Sequence, residues 1–118
     1  MLFSEKEINE IRNNMQWGSW NYQRFNYCNA YIVSWDNCAY IIPSQYHKNI
    51  GIVKIQAVPI KSYNTVVGVV IKAWFENDIT LIELYEIGKY SRTTSKQVTQ
   101  IHNQVYPYAD NRYHVNRV

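Results

Sequence analysis

The stretch from Ser62 to Val105 constrains this chain most. Residues 66–75, VVGVVIKAWF, form an apolar run broken only by Lys72 and rich in β-branched side chains. Such side chains crowd a helical turn and fit a pleated surface, so the run predicts a strand. Both of its faces are apolar, which suits an inner strand covered on both sides. Glu76-Asn77-Asp78 reads as a short polar hairpin loop. Beyond it Ile79, Leu81, Glu83, Tyr85 and Ile87 alternate with Thr80, Ile82, Leu84 and Glu86, a second strand closed by Gly88. Thr94 and Gln97 then make a capping-box pattern, and Val98, Ile101, His102 and Val105 fall on one helix face before Pro107. The rest of the chain must pack against this unit or decorate it.

The N-terminal segment predicts a helix over 4–15. Ser4 and Glu7 have capping-box spacing, and Phe3 and Ile8 flank the cap as a hydrophobic staple requires. Ile8, Ile11 and Met15 make an apolar stripe, Glu5 and Glu7 sit where the helix dipole favours carboxylates, and Gly18 ends the element. Residues 26–87 read as strands. YCNAYIVSW and CAYII flank the turn-prone pair Asp36-Asn37, and Pro43 stops the second of them. In residues 50–60 Ile50, Ile52, Lys54 and Gln56 share one face, while Val53, Ile55 and Ala57 share the other. Gly51 invites a bulge and Pro59 marks an end or an edge. The connections between strands are too short for parallel crossovers. The expected fold is therefore one α+β domain over 1–118: an antiparallel sheet of about five strands, helices at 4–15 and 94–106, and a polar, mobile tail at 107–118.

Hydrophobic residues make up 47% and charged residues 18% of the 118 positions, which suits one packed domain rather than a disordered chain. The net charge of +3 excludes an acidic mimic of DNA and falls short of a strong nucleic-acid signature. Cys28 and Cys38 are too few for a disulfide scaffold and too far apart for a CxxC site; they read as ordinary thiols. His47, His102 and His114 lack metal-ligand spacing, and His102 reads as a packed core histidine. Glu83 and Glu86 fall on opposite strand faces, so they cannot act as a pair. A nucleophile set of Cys28 or Cys38 with His47 and Asp36 has no supporting spacing. A non-enzymatic protein without metal or cofactor is expected. With no bilayer-length apolar run and no signal-peptide pattern, a cytoplasmic location is expected.

Aromatic residues reach 15%, with 11 Tyr and 4 Trp against 3 Phe. Tyr and Trp carry a polar handle and favour interfaces, which tilts the reading toward a binding protein. Two groups qualify as partner anchors: Trp17, Trp20, Tyr22 and Arg24, and Tyr106, Tyr108, Arg112 and Tyr113. The plainer reading of the first group is a loop whose rings plug the edge of the core. Lys89, Arg92, Lys96 and Arg117 form an alternative, phosphate-directed set near a helix N-terminus, where Thr94 equally serves as a simple cap.

Ser62-Tyr63-Asn64-Thr65-Val66-Val67 followed by Gly88-Lys89-Tyr90-Ser91-Arg92-Thr93-Thr94-Ser95-Lys96-Gln97-Val98 resembles a small uncharacterised domain of phage and plasmid proteins from Gram-positive bacteria. Its members carry an SYxT-type start, a hairpin and a YSxTTSKH-like turn into a helix; here Gln97 stands where that pattern has His. The resemblance covers residues 62 to 105 and brings no catalytic residues. It implies a mobile-element origin, and small phage proteins of this size often disable a host defence enzyme, anti-CRISPR proteins among them. Three expectations follow. The first is an inhibitor of a host nuclease, a type II CRISPR effector or its guide-RNA complex, working without membrane attachment. The second is a nucleic-acid-binding accessory protein. The third is a homodimer formed through the apolar sheet.

Overall fold

The structure, a computed structural model, describes residues 2–18, 23–24, 30–32, 51–63, 65–88 and 92–116. The elements run α1 (Glu5–Gln16), β1 (Gln23–Arg24), β2 (Ala30–Ile32), β3 (Ile52–Ser62), β4 (Thr65–Phe75), β5 (Thr80–Ile87), α2 (Arg92–Gln104) and β6 (Asn111–Val115). Among the described residues all six strands join one sheet, in the order of the chain. Four longer strands, β3 to β6, make its body. The α+β class is as expected, and the expected hairpin around Asp36-Asn37 lies outside the described residues.

Helix α1 forms as its sequence dictates. Ser4 Oγ accepts the Glu7 N–H at 3.2 Å, and Glu7 Oε1 accepts the Ser4 N–H at 3.1 Å. Phe3, Ile8, Ile11 and Met15 are fully buried against Ile55, Ala57, Val69, Ile71, Ala73, Tyr85, Ile87 and Val115. The alternate side chains of the same strands, Val58, Ile60, Val70, Ile82 and Leu84, meet Val98 and Ile101 of α2 on the other face. The molecule is thus a helix–sheet–helix sandwich. This explains why β4 is apolar on both sides: it has a helix above and a helix below. Each fully buried aliphatic or aromatic side chain contributes about 1.5–3 kcal/mol.

The sheet is not purely antiparallel. β5 and β6 run parallel, with Glu83 beside Asn111 and Ile87 beside Val115. The chain makes this turn through α2, a helical crossover long enough to bring a strand back in the same direction. Residues 107–116 are therefore not a loose tail, because 111–115 insert as an edge strand that buries Val115. The α2 boundaries also shift. The helix opens at Arg92 rather than at a Thr94 cap, and Gln97 is engaged elsewhere: its Oε1 accepts the Ser62 hydroxyl at 3.0 Å. That buried bond joins the end of β3 to the first turns of α2.

Two irregularities set the strand phase. β3 has an extra residue between Ile52 and Lys54, and β4 has one opposite the Ile60–Lys61 step. The first moves Ile52 off the Lys54 face and onto the α1 core, against the alternation expected for residues 50–60. It leaves Val53 exposed. Gly51, with φ +92, supplies the turn that precedes it. The second irregularity lies at Val67, where Val66 and Val67 face opposite cores. The Val66 N–H is given a partner by α1, donating to Gln16 Oε1 at 2.8 Å. Next to it Gly68 leaves room that a side chain would fill, since a Cβ there would stand 3.2 Å from the Tyr85 carbonyl and 3.3 Å from Ile60 Cδ1. Pro59 is interior to β3 rather than its end. It sits one residue beyond the described pairing with β2, which closes at Ile32 and Ile60. The 76–78 hairpin loop is as expected, with Asp78 at φ 64 and Asn77 Oδ1 accepting the Ile79 N–H.

Gln16→Leu keeps the helix and removes the acceptor for the Val66 N–H. It is expected to cost about 1–3 kcal/mol, the penalty of an orphaned buried donor. Gly68→Ala forces the Tyr85 carbonyl or Ile60 to shift and is expected to cost about 1–3 kcal/mol. Urea unfolding of both variants checks this; unchanged midpoints would refute the role given to the β4 bulge.

Candidate functional site

The structure disperses the expected anchors. Trp17, the residue that ends α1, is 87% exposed. Trp20 and Tyr22 lie outside the described residues, and Arg24 is described only as a β1 residue paired with Tyr31. Tyr106 is not a surface anchor. At 3% exposure it belongs to the α2 core, with Val105 and Ala109 packed around the same cluster. Tyr113 is half-buried with its ring 5.4 Å from that of Tyr85. Arg112 reaches back to Glu86 at 2.9 Å and to Thr99 of α2 at 3.0 Å. For Tyr113 and Arg112 the reason is common: once β6 joins the sheet, its side chains become parts of the two helix-covered faces; Tyr106 precedes β6 and packs under the end of α2. From that group Tyr108 reaches solvent, 52% exposed and edge-on to Tyr106 at 6.1 Å. In the alternative set Lys96 is exposed on α2 and Arg92 opens that helix; Lys89 and Arg117 lie outside the described residues. His102 lies at the rim of α2, half-buried and 3.2 Å from Asn103 Oδ1, rather than in the core.

Glu83 and Glu86 face opposite layers. Glu83, only 1% exposed, sits under α1 and accepts hydrogen bonds from the Leu2 N–H at 2.8 Å and from the Tyr85 hydroxyl. A buried carboxylate is tolerable only when its oxygens are satisfied. Burial, and then Glu83, push the Tyr85 phenol far above its ordinary value of 10.0; desolvation and Glu83 push Tyr113 in the same direction. The cluster ties the N-terminal segment to β5 and β6 and reads as structural. Among the described residues no group of His, Cys, Asp or Glu is placed to hold a metal ion. A shallow hollow at the hairpin end is lined by Gly51, Phe75, Glu76 and Asn77. No helix of the described residues is long and apolar enough to cross a membrane.

A constellation that sequence reading passed over lies on the α2 side of the sheet, beyond the residues that pack on the helix. Here β3 offers Lys54 and Gln56, β4 offers Trp74 and Lys72, and β5 offers Thr80 and Ile82. The register sets Lys54 opposite Trp74 opposite Thr80, and Gln56 opposite Lys72 opposite Ile82. The two ammonium groups stand 4.8 Å (Lys54) and 4.9 Å (Lys72) from the centroid of the Trp74 ring. Lys54 and Thr80 are exposed, and Lys72 and Trp74 are half-exposed. None of these six side chains is acidic. Asp110, at the border, has its carboxylate on the Ile82 N–H at 2.8 Å. The signal that could have revealed this face was Lys72 and Trp74 two apart in a strand otherwise apolar, with Lys54 alternating in the preceding strand.

The face offers two cations and one aromatic plane on the sheet surface. Comparison with protein families, with curated proteins and with solved structures finds no match to this chain.

The Tyr85–Glu83 pair gives a pH test. Folding holds the Tyr85 phenol neutral at pH values where the unfolded chain ionises it. The folded state then binds more protons, so stability falls as pH rises. Stability is expected to lose nothing through Tyr85 below about pH 10 and to decline above it. Tyr85→Phe should flatten that decline while costing about 1–3 kcal/mol at neutral pH, because Glu83 loses a donor. Denaturation midpoints from pH 7 upward measure both effects, and an unaltered alkaline slope in the variant would refute the assignment.

Proposed function

We propose that this chain is a non-enzymatic binding protein of a phage or mobile element that occupies and disables a host defence nuclease in the bacterial cytoplasm, a type II CRISPR effector with its guide RNA. The observation that carries this reading is the Lys54–Trp74–Lys72 face. A Trp held rigidly on a sheet is the kind of residue that dominates binding energy in an interface. Two flanking lysines match a partner of negative potential, and an RNA-loaded nuclease offers phosphate at its surface. The resemblance of residues 62–98 to a mobile-element domain supports the setting. Trp17 and Tyr108 add exposed rings that a large partner can reach.

A nucleic-acid-binding accessory protein is the second reading. It is favoured by the lack of any acidic side chain among the six residues of the face. The two readings differ in whether a nuclease is captured and silenced.

Co-expression with a type II effector in a plasmid-interference assay is expected to restore transformation, and the tagged protein should capture the effector from lysate. Trp74→Ala should weaken capture by at least about 2 kcal/mol, roughly thirtyfold. Full interference in the presence of the protein, with no nuclease captured, would reject the reading.

A further inference from the structure

The Lys54–Trp74–Lys72 face has a chemistry specific enough to name its ligand class. We infer that it binds single-stranded nucleic acid, with one base stacked on Trp74 and the Lys54 and Lys72 ammonium groups on the flanking phosphates. The inference rests on reading this face as the binding surface, and it deepens that reading by assigning the contact to nucleic acid rather than to protein.

Magnitudes decide the stacking question. Each lysine now rests over the indole at just under 5 Å. A cation–π contact at an exposed site is worth about 0.5–1 kcal/mol. A base stacked on an aromatic side chain is worth about 1–3 kcal/mol, against about 1–2 kcal/mol for the two cation–π contacts together, and the displaced ammonium groups gain phosphate contacts that tip the exchange toward the base. The displaced lysines lose little, because phosphates stand where the strand runs past the ring. Before binding, the same contacts hold the ring and both amines together, so little order has to be created.

The shape of the face selects a single strand. The site is the open surface of an antiparallel sheet, with Trp74 between Lys54 on one neighbouring strand and Thr80 on the other. A duplex hides its base faces in its own stack and offers the ring nothing to lie on. A splayed single strand exposes them, which is how sheet-based RNA-binding modules use strand aromatics. Thr80 adds an exposed, uncharged hydroxyl beside the ring. Tyr108 is a second exposed ring in the 106–110 turn. That turn is fastened to the Ile82 end of the face by the Asp110 N–H on the Ile82 carbonyl at 2.8 Å, and it gives a neighbouring base somewhere to lie.

The test is fluorescence anisotropy with labelled oligothymidine and oligouridine of about fifteen nucleotides, within the site sizes of small single-strand binders, and a duplex of equal length. Both single strands should bind at low salt and outcompete the duplex. With two phosphates contacted, log K should fall against log salt with a slope of about −1.4. Trp74→Ala should weaken binding about five- to hundredfold, and Trp74→Phe should recover part of the loss. Lys54→Gln with Lys72→Gln should flatten the salt slope, with folding checked by thermal denaturation. No binding of either single strand, preference for the duplex, or a Trp74→Ala variant that binds as well as the parent would overturn the inference. If the oligonucleotides fail to bind but RNA-free nuclease is captured, the contact is protein and only this inference falls. If they bind as described and no nuclease is captured, the inhibitor reading falls and this inference stands.

Discussion

Strand β4 is walled in for most of its length, and the rest of the molecule answers to that confinement. Val66, Val69, Ile71 and Ala73 lie under α1, while Val67 and Val70 lie under α2. A strand in this position can leave no backbone polar group without a partner. β3 and β5 supply most of those partners, and at the bulge Gln16 reaches across from α1 to supply one more. Beside the bulge space is short at Gly68, where a Cβ would make the Tyr85 carbonyl or Ile60 give by a few tenths of an ångström. Burial, bulge, glycine and glutamine are one connected requirement rather than four separate features.

The same logic explains the polar residues inside. Asn9 is buried at the α1–β6 side and donates to the Glu5 and Asn116 carbonyls at 2.8 and 2.9 Å, tying the helix to the far end of the chain. Ser62 and Gln97 tie β3 to α2, and Glu83 ties the N-terminal segment to β5. Each is a bond between segments distant in sequence. Each costs more when half of it is removed than it contributes when complete, because the remaining partner stays buried. The Ser62–Gln97 bond holds the first turns of α2 against the end of β3 through a hydroxyl and an amide.

The polar part of the sheet begins where the core ends. The helix-covered face of β3, β4 and β5 is apolar at the Val58, Val70 and Leu84 level and becomes polar at Lys54, Lys72 and Trp74. The strands continue past their cover, so a cationic surface carrying one indole ring projects from a well-packed base. A ring mounted on such a surface loses little freedom on binding, which favours affinity without a deep pocket.

Local chemistry sufficed for α1, for the 76–78 turn and for the twofold burial of β4. The capping box, the staple, the turn residues and the unbroken β-branched run all act within a few residues of themselves. The tail resisted such reading. Asn111-Arg112-Tyr113-His114-Val115 carries little apolar content of its own, and it becomes a strand only because β5 presents an open edge and α2 returns the chain alongside it. That event also took Tyr113 and Arg112 into intramolecular contacts. Tyr106 was drawn inward beneath the end of α2. The Trp74 face was equally out of reach, because Lys54, Lys72 and Trp74 become neighbours only once strand register, shifted by a one-residue bulge at Val53, is known. Sequence by itself determined the elements whose hydrogen bonds and apolar stripes close locally. Tertiary structure decided the strand direction, the fate of the aromatic rings and the Lys54–Trp74–Lys72 face, because each depends on which distant backbone a side chain is laid against.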